Sequence, residues 1–165
     1  MQFMFSLLNE ADARAIQAWR YTGEYAIYNM DPDDPDERAE LLDRRSPYYA
    51  AHDASGALVG FFLFGTSAEL DDRNAPGIVG EDNTITVGLG LRPDLTGKGL
   101  GLAFVNAGLA FGNAQFAPAA FRLFVMIFNE RATRVYERAG FRRVGLVMQR
   151  SLRGDRAFLE MYRPA

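Results

Sequence analysis

The chain is predicted to fold as one α/β domain, a mixed sheet with helices on both faces, and three observations carry that prediction. Runs of alternating and of helical hydrophobic period follow one another along 165 residues in the order strand, two helices, three strands, helix, strand, helix and two strands. Residues 91–101 read L-R-P-D-L-T-G-K-G-L-G, a strand end and three alternate glycines that open straight into an apolar helix. Phe121 to Phe128 is almost wholly apolar, the pattern of a central strand. With 48% hydrophobic residues the length suits one core (residues 1–165) and would cramp two, and no repeat or linker interrupts it.

Phe3 to Leu8 reads as a strand, and Asn9 as the N-cap of a helix through Trp19, with Glu10 and Asp12 in its first turn. Tyr21, Tyr25 and Tyr28 crowd a stretch broken by Gly23 and ended by Asp31-Pro32, after which Asp33 to Arg45 returns to a charged helical pattern. Tyr48 to His52 and Leu58 to Phe64 are two strands around an Asp53-Ala54-Ser55-Gly56 turn, a hairpin signal. Gly65 to Asn83 carries acids, Pro76 and several glycines, and reads as a long loop or a ragged strand extension. In the strand Thr84 to Leu91, Ile85, Val87, Leu89 and Leu91 can bury one face, while Gly88 and Gly90 leave the other bare. Gly99 to Asn113 has Leu102, Val105, Leu109 and Ala110 at helical spacing, and a loop at Pro118 leads to the apolar strand. Glu130 to Ala139 is a short helix between Asn129 and Gly140, and Phe141 to Leu146 and Ala157 to Tyr162 close the sheet.

Composition excludes several classes. A net charge of -3 without a basic stripe argues against nucleic acid as a partner. The absence of cysteine removes disulfides and thiolate chemistry, and the single His52, read as a surface strand residue, builds no metal cluster. Met1 to Leu8 is too short, and too soon followed by acids, for a signal peptide or membrane span, so a soluble cytoplasmic protein is expected.

The glycine turn carries the chemistry. Unpaired N–H groups at such a turn and at the first turn of the following helix are a ready anion site, and glycine leaves no Cβ in the way. Alternate glycines also serve close helix packing, and that reading stands beside the first. A Walker A loop would need Ser or Thr after Lys98, and a dinucleotide fingerprint would need Gly at position 102, where Leu stands. A linear molecule could place a pyrophosphate on residues 97–101 and pair an amide arm along Gly88 to Leu91 like an extra strand. Coenzyme A has that shape.

From about Phe61 to Phe141 the chain resembles the GNAT superfamily of acyl-CoA-dependent N-acyltransferases. Thr96 to Gly101 fits its pyrophosphate motif with Thr where the family has Arg or Gln, and Leu91 matches the hydrophobic residue five positions earlier. Asn129, Ala132, Tyr136 and Gly140-Phe141 follow the pattern N-x-x-A-x-x-x-Y-x-x-x-G-F. The resemblance implies a mostly antiparallel sheet and acetyl-CoA as cosubstrate, without metal. Backbone groups of Leu89 and Leu91 would contact pantetheine; Thr96, Gly97, Lys98, Gly99, Leu100 and Gly101 would hold the pyrophosphate; Asn129 would meet the cofactor arm. Tyr136 would be the general acid, since a phenol of pKa about 10 can protonate a departing thiolate of pKa about 8.5. An apolar stripe of Ala132, Val135 and Ala139 leaves open that Tyr136 is simply core.

The general base is less defined, because Ile85 lies on the strand where many members place a Glu. Glu81, Asp82 and Glu24 are the carboxylates to test, beside a water chain or bulk water. The acceptor pocket is expected between the first two helices and the opened sheet, implicating Trp19, Tyr21, Tyr25 and Tyr28, whose alternative is ordinary packing. The acid-rich run Asp31 to Glu40 is either an attractor for a cationic amine or a solvated face. The expected reaction is direct attack, in a ternary complex, of a primary amine on acetyl-CoA, the amine belonging to a small molecule or a protein N-terminus. The rivals are a non-catalytic acyl-CoA-binding or regulatory module and a nucleotide-binding protein. Dimers are common in families of this kind, so a homodimer stands beside the monomer.

Overall fold

A computed structural model describes residues 1–70, 77–151 and 154–165, apart from the side chain of Glu81. Among the described residues seven strands form one sheet: β1 (Met4–Leu7), β2 (Tyr48–His52), β3 (Leu58–Phe64), β4 (Thr84–Leu91), β5 (Ala120–Met126), β6 (Arg142–Gln149) and β7 (Arg156–Pro164). Their order is β1-β2-β3-β4-β5-β7-β6, antiparallel except for the β4–β5 pair. The apolar strand β5 is therefore interior, paired on both edges.

Among the described residues four α-helices flank the sheet: α1 (Glu10–Gln17), α2 (Pro35–Leu41), α3 (Gly101–Phe116) and α4 (Glu130–Arg138). Asn9 caps α1 by accepting from the Asp12 N–H at 2.9 Å while the Asp12 carboxylate accepts from Asn9, a capping box. The helix stops at Gln17, short of Trp19, where the Arg20 guanidinium binds the carbonyls of Gln17 and Trp19. α2 covers only part of the expected Asp33 to Arg45 span. Asp34 caps its start with Pro35 behind it, and beyond Leu42 the Asp43 carboxylate accepts from the Arg45 N–H at 2.9 Å, a local bond that competes with a further turn. The tyrosine-rich stretch forms a 3-10 helix, Gly23–Tyr28, and the expected loop 65–83 contains short 3-10 turns at Thr66–Ala68 and Glu81–Asn83.

Two cores lie on opposite faces. α1 and α2 cover Leu8, Ala13, Ile16, Leu41, Tyr48, Ala50 and Leu63, while α3 and α4 cover the larger cluster that includes Phe62, Phe64, Phe104, Phe121 and Met161. A register shift opposite Ala51 and His52 resets the alternation of β3, so Phe61 and Leu63 face one core and Phe62 and Phe64 the other. Each fully buried phenylalanine contributes about 1.5–3 kcal/mol through burial alone.

Glycines act as sockets for these rings. A Cβ on Gly108 would lie 2.1 Å from Phe62 Cζ, one on Gly112 2.7 Å from Phe64, and one on Gly60 2.3 Å from Phe104. The same principle corrects one expectation: the Gly88 and Gly90 face of β4 is not bare. Leu63 and Phe61, their β3 partners, fold over it and would meet a Cβ at 2.6 and 2.4 Å. His52 is also less exposed than expected, with Nε2 3.2 Å from the Asp12 carboxylate.

Candidate active site

β4 and β5 pair for only three residues, Thr84–Thr86 against Ala120–Arg122, and then part: β4 stays with β3 to Leu91 and β5 with β7 to Met126. A wedge opens between them. The Gly65 N–H donates to the Thr86 carbonyl and the Arg92 N–H to the Val59 carbonyl, which fixes the even residues of β4 toward β3. Alternate residues of an antiparallel strand turn both backbone groups the other way, so Val87, Leu89 and Leu91 present N–H and C=O to the wedge. The Tyr21 hydroxyl, donating to the Leu91 carbonyl at 2.8 Å, marks that direction.

At the wide end of the wedge lies the glycine turn. Gly97 and Gly99 have φ of +74° and +79°, a backbone that other residues adopt at a cost, and a Cβ on Gly99 would meet nothing within 4 Å. Gly101 differs, because its Cβ would press on Val135 of α4 at 3.2 Å. Close packing thus explains Gly101, and an open turn at positive φ explains the other two. Leu100 caps α3 without a side-chain bond, and among the described residues no hydrogen bond uses a backbone N–H of 97–103. Thr96 is neutral and its hydroxyl is spent on the Pro93 carbonyl at 2.8 Å; Lys98 is exposed. A turn of unpaired donors at the start of a 16-residue helix fits a phosphate-bearing ligand.

α4 supplies the opposite wall. Asn129 accepts from the Ala132 N–H at 3.1 Å through Oδ1, and its Nδ2 donates to the Tyr28 hydroxyl at 3.1 Å. Tyr136 packs edge-on to Phe141 and against the α3-side core. Its hydroxyl makes no hydrogen bond among the described residues, where no fully buried side-chain polar atom lacks a partner, so it opens on accessible space. Burial, reinforced by Tyr28, pushes its pKa above the usual phenol value, which keeps the proton in place at neutral pH. Burial also raises Tyr28, against the opposing Asn129 bond, and Tyr21, pushed up to about 12 against the pull of Arg131.

The predicted site residues therefore divide. Tyr21 and Tyr28 bind the two wedge walls, at Leu91 and Asn129, and Tyr25 lies beside Phe128 with its ring 4.3 Å beneath the Arg131 guanidinium. A cleft of about 820 Å³ runs past Arg20, Tyr21, Glu24, Tyr25, Thr96 and Arg131, and a second of about 580 Å³ continues along Phe128, Arg131 and Val135. Glu24 is exposed in both. Trp19 is elsewhere, stacked on Phe61 in the α1–α2 core. Asp82 is exposed, with φ of +59°, and the Glu81 side chain lies outside the described residues.

Two residues escaped the sequence reading. Arg131 faces the glycine turn, its Nη1 3.9 Å from the Cβ position of Gly97. Glu69 accepts from the Thr86 hydroxyl and pairs with Arg122 at 2.7 Å where the wedge begins, with Glu160 4.0 Å from the same guanidinium. Arg122, a charge in an otherwise apolar strand, was the visible signal; its partner 53 residues away was not.

The comparisons with known proteins bear on the family and the fold. Residues 2–142 match the family model described as an acetyltransferase (GNAT) domain. Mycothiol acetyltransferase of Propionibacterium freudenreichii subsp. shermanii is 37% identical over 91 residues, 55% of this chain and 26% of that protein, so the chain spans about a quarter of that relative's length. A spermidine N-acetyltransferase SpeG chimera from Vibrio cholerae and hSSAT superposes with a TM-score of 0.75 at 18% identity, covering 99% of this chain and 96% of that one. The manganese complex of the Vibrio cholerae spermidine/spermine N-acetyltransferase SpeG gives 0.69 at 18% identity, covering 98% and 91%. Among the described residues no helix is long and apolar enough to cross a membrane, and no cluster of three or more His, Cys, Asp or Glu could hold a metal ion. With its glycine turn, parted strands and Asn129–Tyr136 helix matched by a family model over most of its length, the chain belongs to the GNAT acetyltransferase family.

Proposed function

We propose that the protein transfers the acetyl group of acetyl-CoA to the primary amine of a small molecule by direct attack within a ternary complex. The observation that carries this is the wedge itself, where β4, parted from β5, turns the backbone groups of Val87, Leu89 and Leu91 outward and leads into an open glycine turn of unpaired N–H groups. The turn would take the pyrophosphate on unpaired N–H groups, and Leu89 and Leu91 would pair with the pantetheine amides. The amine nitrogen bonds to the thioester carbon, the tetrahedral intermediate collapses with loss of the carbon–sulfur bond, the departing sulfur takes the Tyr136 proton, and the proton shed by the amine passes through water to restore the phenol. A β4 N–H near Leu89 would bind the oxyanion. Polyamines and other small diamines are the first acceptors to screen, given the spermidine acetyltransferases among the structural neighbours; a protein N-terminus is the second.

The test is calorimetric titration with acetyl-CoA, followed by turnover on an amine panel. Gly99→Glu should abolish binding, because it puts a carboxylate and a strained φ in the turn. Tyr136→Phe should keep binding within about twofold and lower kcat by about 10²–10⁴-fold. An unchanged kcat would remove Tyr136 from the chemistry. Acetyl-CoA binding without turnover on any amine would favour the non-catalytic module.

A further inference from the structure

We propose that Arg131, reaching from α4 to the glycine turn and stacked on Tyr25, is the side-chain cation that holds the cosubstrate's pyrophosphate, replacing in space the charge that position 96 lacks. This rests on the acetyl-CoA reading of the same site.

The turn carries a deficit. Thr96 brings no charge, and its hydroxyl is committed to the Pro93 carbonyl at 2.8 Å. Lys98, on the turn itself, is an exposed ammonium on a flexible stem, a weak way to fix a planar pair of phosphate oxygens. Arg131 comes from the other side of the cleft. Its Nη1 lies 3.9 Å from where a Gly97 Cβ would stand, so the guanidinium and the unpaired turn amides face one volume.

Two further features separate Arg131 from an ordinary surface arginine. Among the described residues it has no carboxylate partner, whereas Arg134 pairs with Glu130 at 3.0 Å and Arg143 with Glu137 at 2.7 Å. It is also positioned: the guanidinium stacks 4.3 Å over the Tyr25 ring, and Tyr25 leans on Phe128 at 5.8 Å. Stacking orients the plane and leaves the edge N–H groups free, the edge that binds phosphate with two parallel bonds. Tyr25 and Arg131 line both clefts, where the two meet. Tyr25 is thereby a positioning residue, and its ring does not need to touch the ligand.

The test is titration calorimetry with three ligands: acetyl-CoA, acetyl-dephospho-CoA, which lacks the 3′-phosphate, and S-acetylpantetheine, which lacks the pyrophosphate as well. Arg131→Gln should weaken both nucleotide ligands by the same factor, about 10- to 100-fold. S-acetylpantetheine should bind unchanged. Affinity should also depend less steeply on salt in the variant. Tyr25→Leu should give a smaller loss of the same pattern, and Arg14→Gln, which removes an equal charge on α1, should change nothing. Unfolding midpoints confirm that each variant is folded. Unchanged nucleotide binding in Arg131→Gln overturns the proposal, and so does a loss confined to acetyl-CoA, which would place Arg131 at the 3′-phosphate. A wild-type protein that binds none of the three overturns the acetyl-CoA reading itself.

Discussion

Asn129 serves two ends through two atoms, and substitutions can separate them. Oδ1 caps α4, while Nδ2 donates to Tyr28 on the far side of the wedge. Asn129→Asp keeps a capping oxygen and adds a charge favourable at a helix N-terminus, so stability should stay within about 0.5 kcal/mol of wild type. Asn129→Ala should lose about 1 kcal/mol by denaturant unfolding. Both should weaken acetyl-CoA binding, the aspartate more, because its charge opposes an anionic ligand. Equal affinity in all three proteins would confine Asn129 to its cap. Glu69 presents the converse case, a carboxylate at the wedge apex tied to Thr86 and Arg122. Glu69→Gln removes its charge and leaves Arg122 with Glu160 at 4.0 Å. The cost should be about 1–3 kcal/mol of stability. If Glu69 also takes the amine proton, kcat should fall with it; a stability loss with unchanged kcat would make the network purely structural.

At the scale of elements, what sets spacing here is the fit of rings into glycine sockets. Gly108→Ala shows which force wins. In an exposed helix the change would gain about 1 kcal/mol of propensity. In α3 the new Cβ would stand 2.1 Å from Phe62 Cζ, inside a core where that ring is fully buried. Overpacking costs about 1–3 kcal/mol, so the net effect should be a lower melting midpoint. Adding Phe62→Leu should recover part of the loss, a non-additivity that a double-mutant cycle reads directly. An independent, additive pair would refute the socket. These sockets also explain what could be read beforehand. Every strand was visible from local period and turn chemistry, because each needs only its own residues. The role of Gly88 and Gly90 was not, because it depends on register: Leu63 opposite Gly88 and Phe61 opposite Gly90. α2 was overestimated for a similar reason, since a charged pattern cannot show that Asp43 prefers its own Arg45 N–H.

For the molecule as a whole, the site and its stability share one group of tyrosines. The glycine turn, Asn129 and Tyr136 were legible because they sit in fixed local spacing, whereas the links that join them through space, Tyr21 to Leu91 and Tyr28 to Asn129, cross 70 and 101 residues. Those links have a pH signature. Burial raises the pKa of Tyr21 to about 12, and also raises Tyr28, Tyr136 and, beside Glu40, Tyr48. In the unfolded chain each titrates near about 10. A group whose folded pKa is raised contributes its stability fully below the unfolded value and loses it as pH climbs toward the folded one, because only the unfolded state then releases the proton. Stability should therefore hold to about pH 9.5 and fall above about pH 10, by up to about 1.4 kcal/mol per pH unit for each deeply buried phenol. Partial exposure makes the shares of Tyr21, Tyr28 and Tyr136 smaller and leaves Tyr48 the largest. On the acid side, Asp43, Asp53 and Asp94 are held below the usual carboxylate range by neighbouring Arg45, Ser55 and Arg92, so what they contribute is lost as pH falls through that range. Melting midpoints recorded between about pH 8 and 11, with tyrosinate absorbance read in parallel, test this. Tyr48→Phe, which removes one titrating group from the core, should flatten the alkaline limb, and a limb of unchanged slope in that variant would mean that other groups drive the loss.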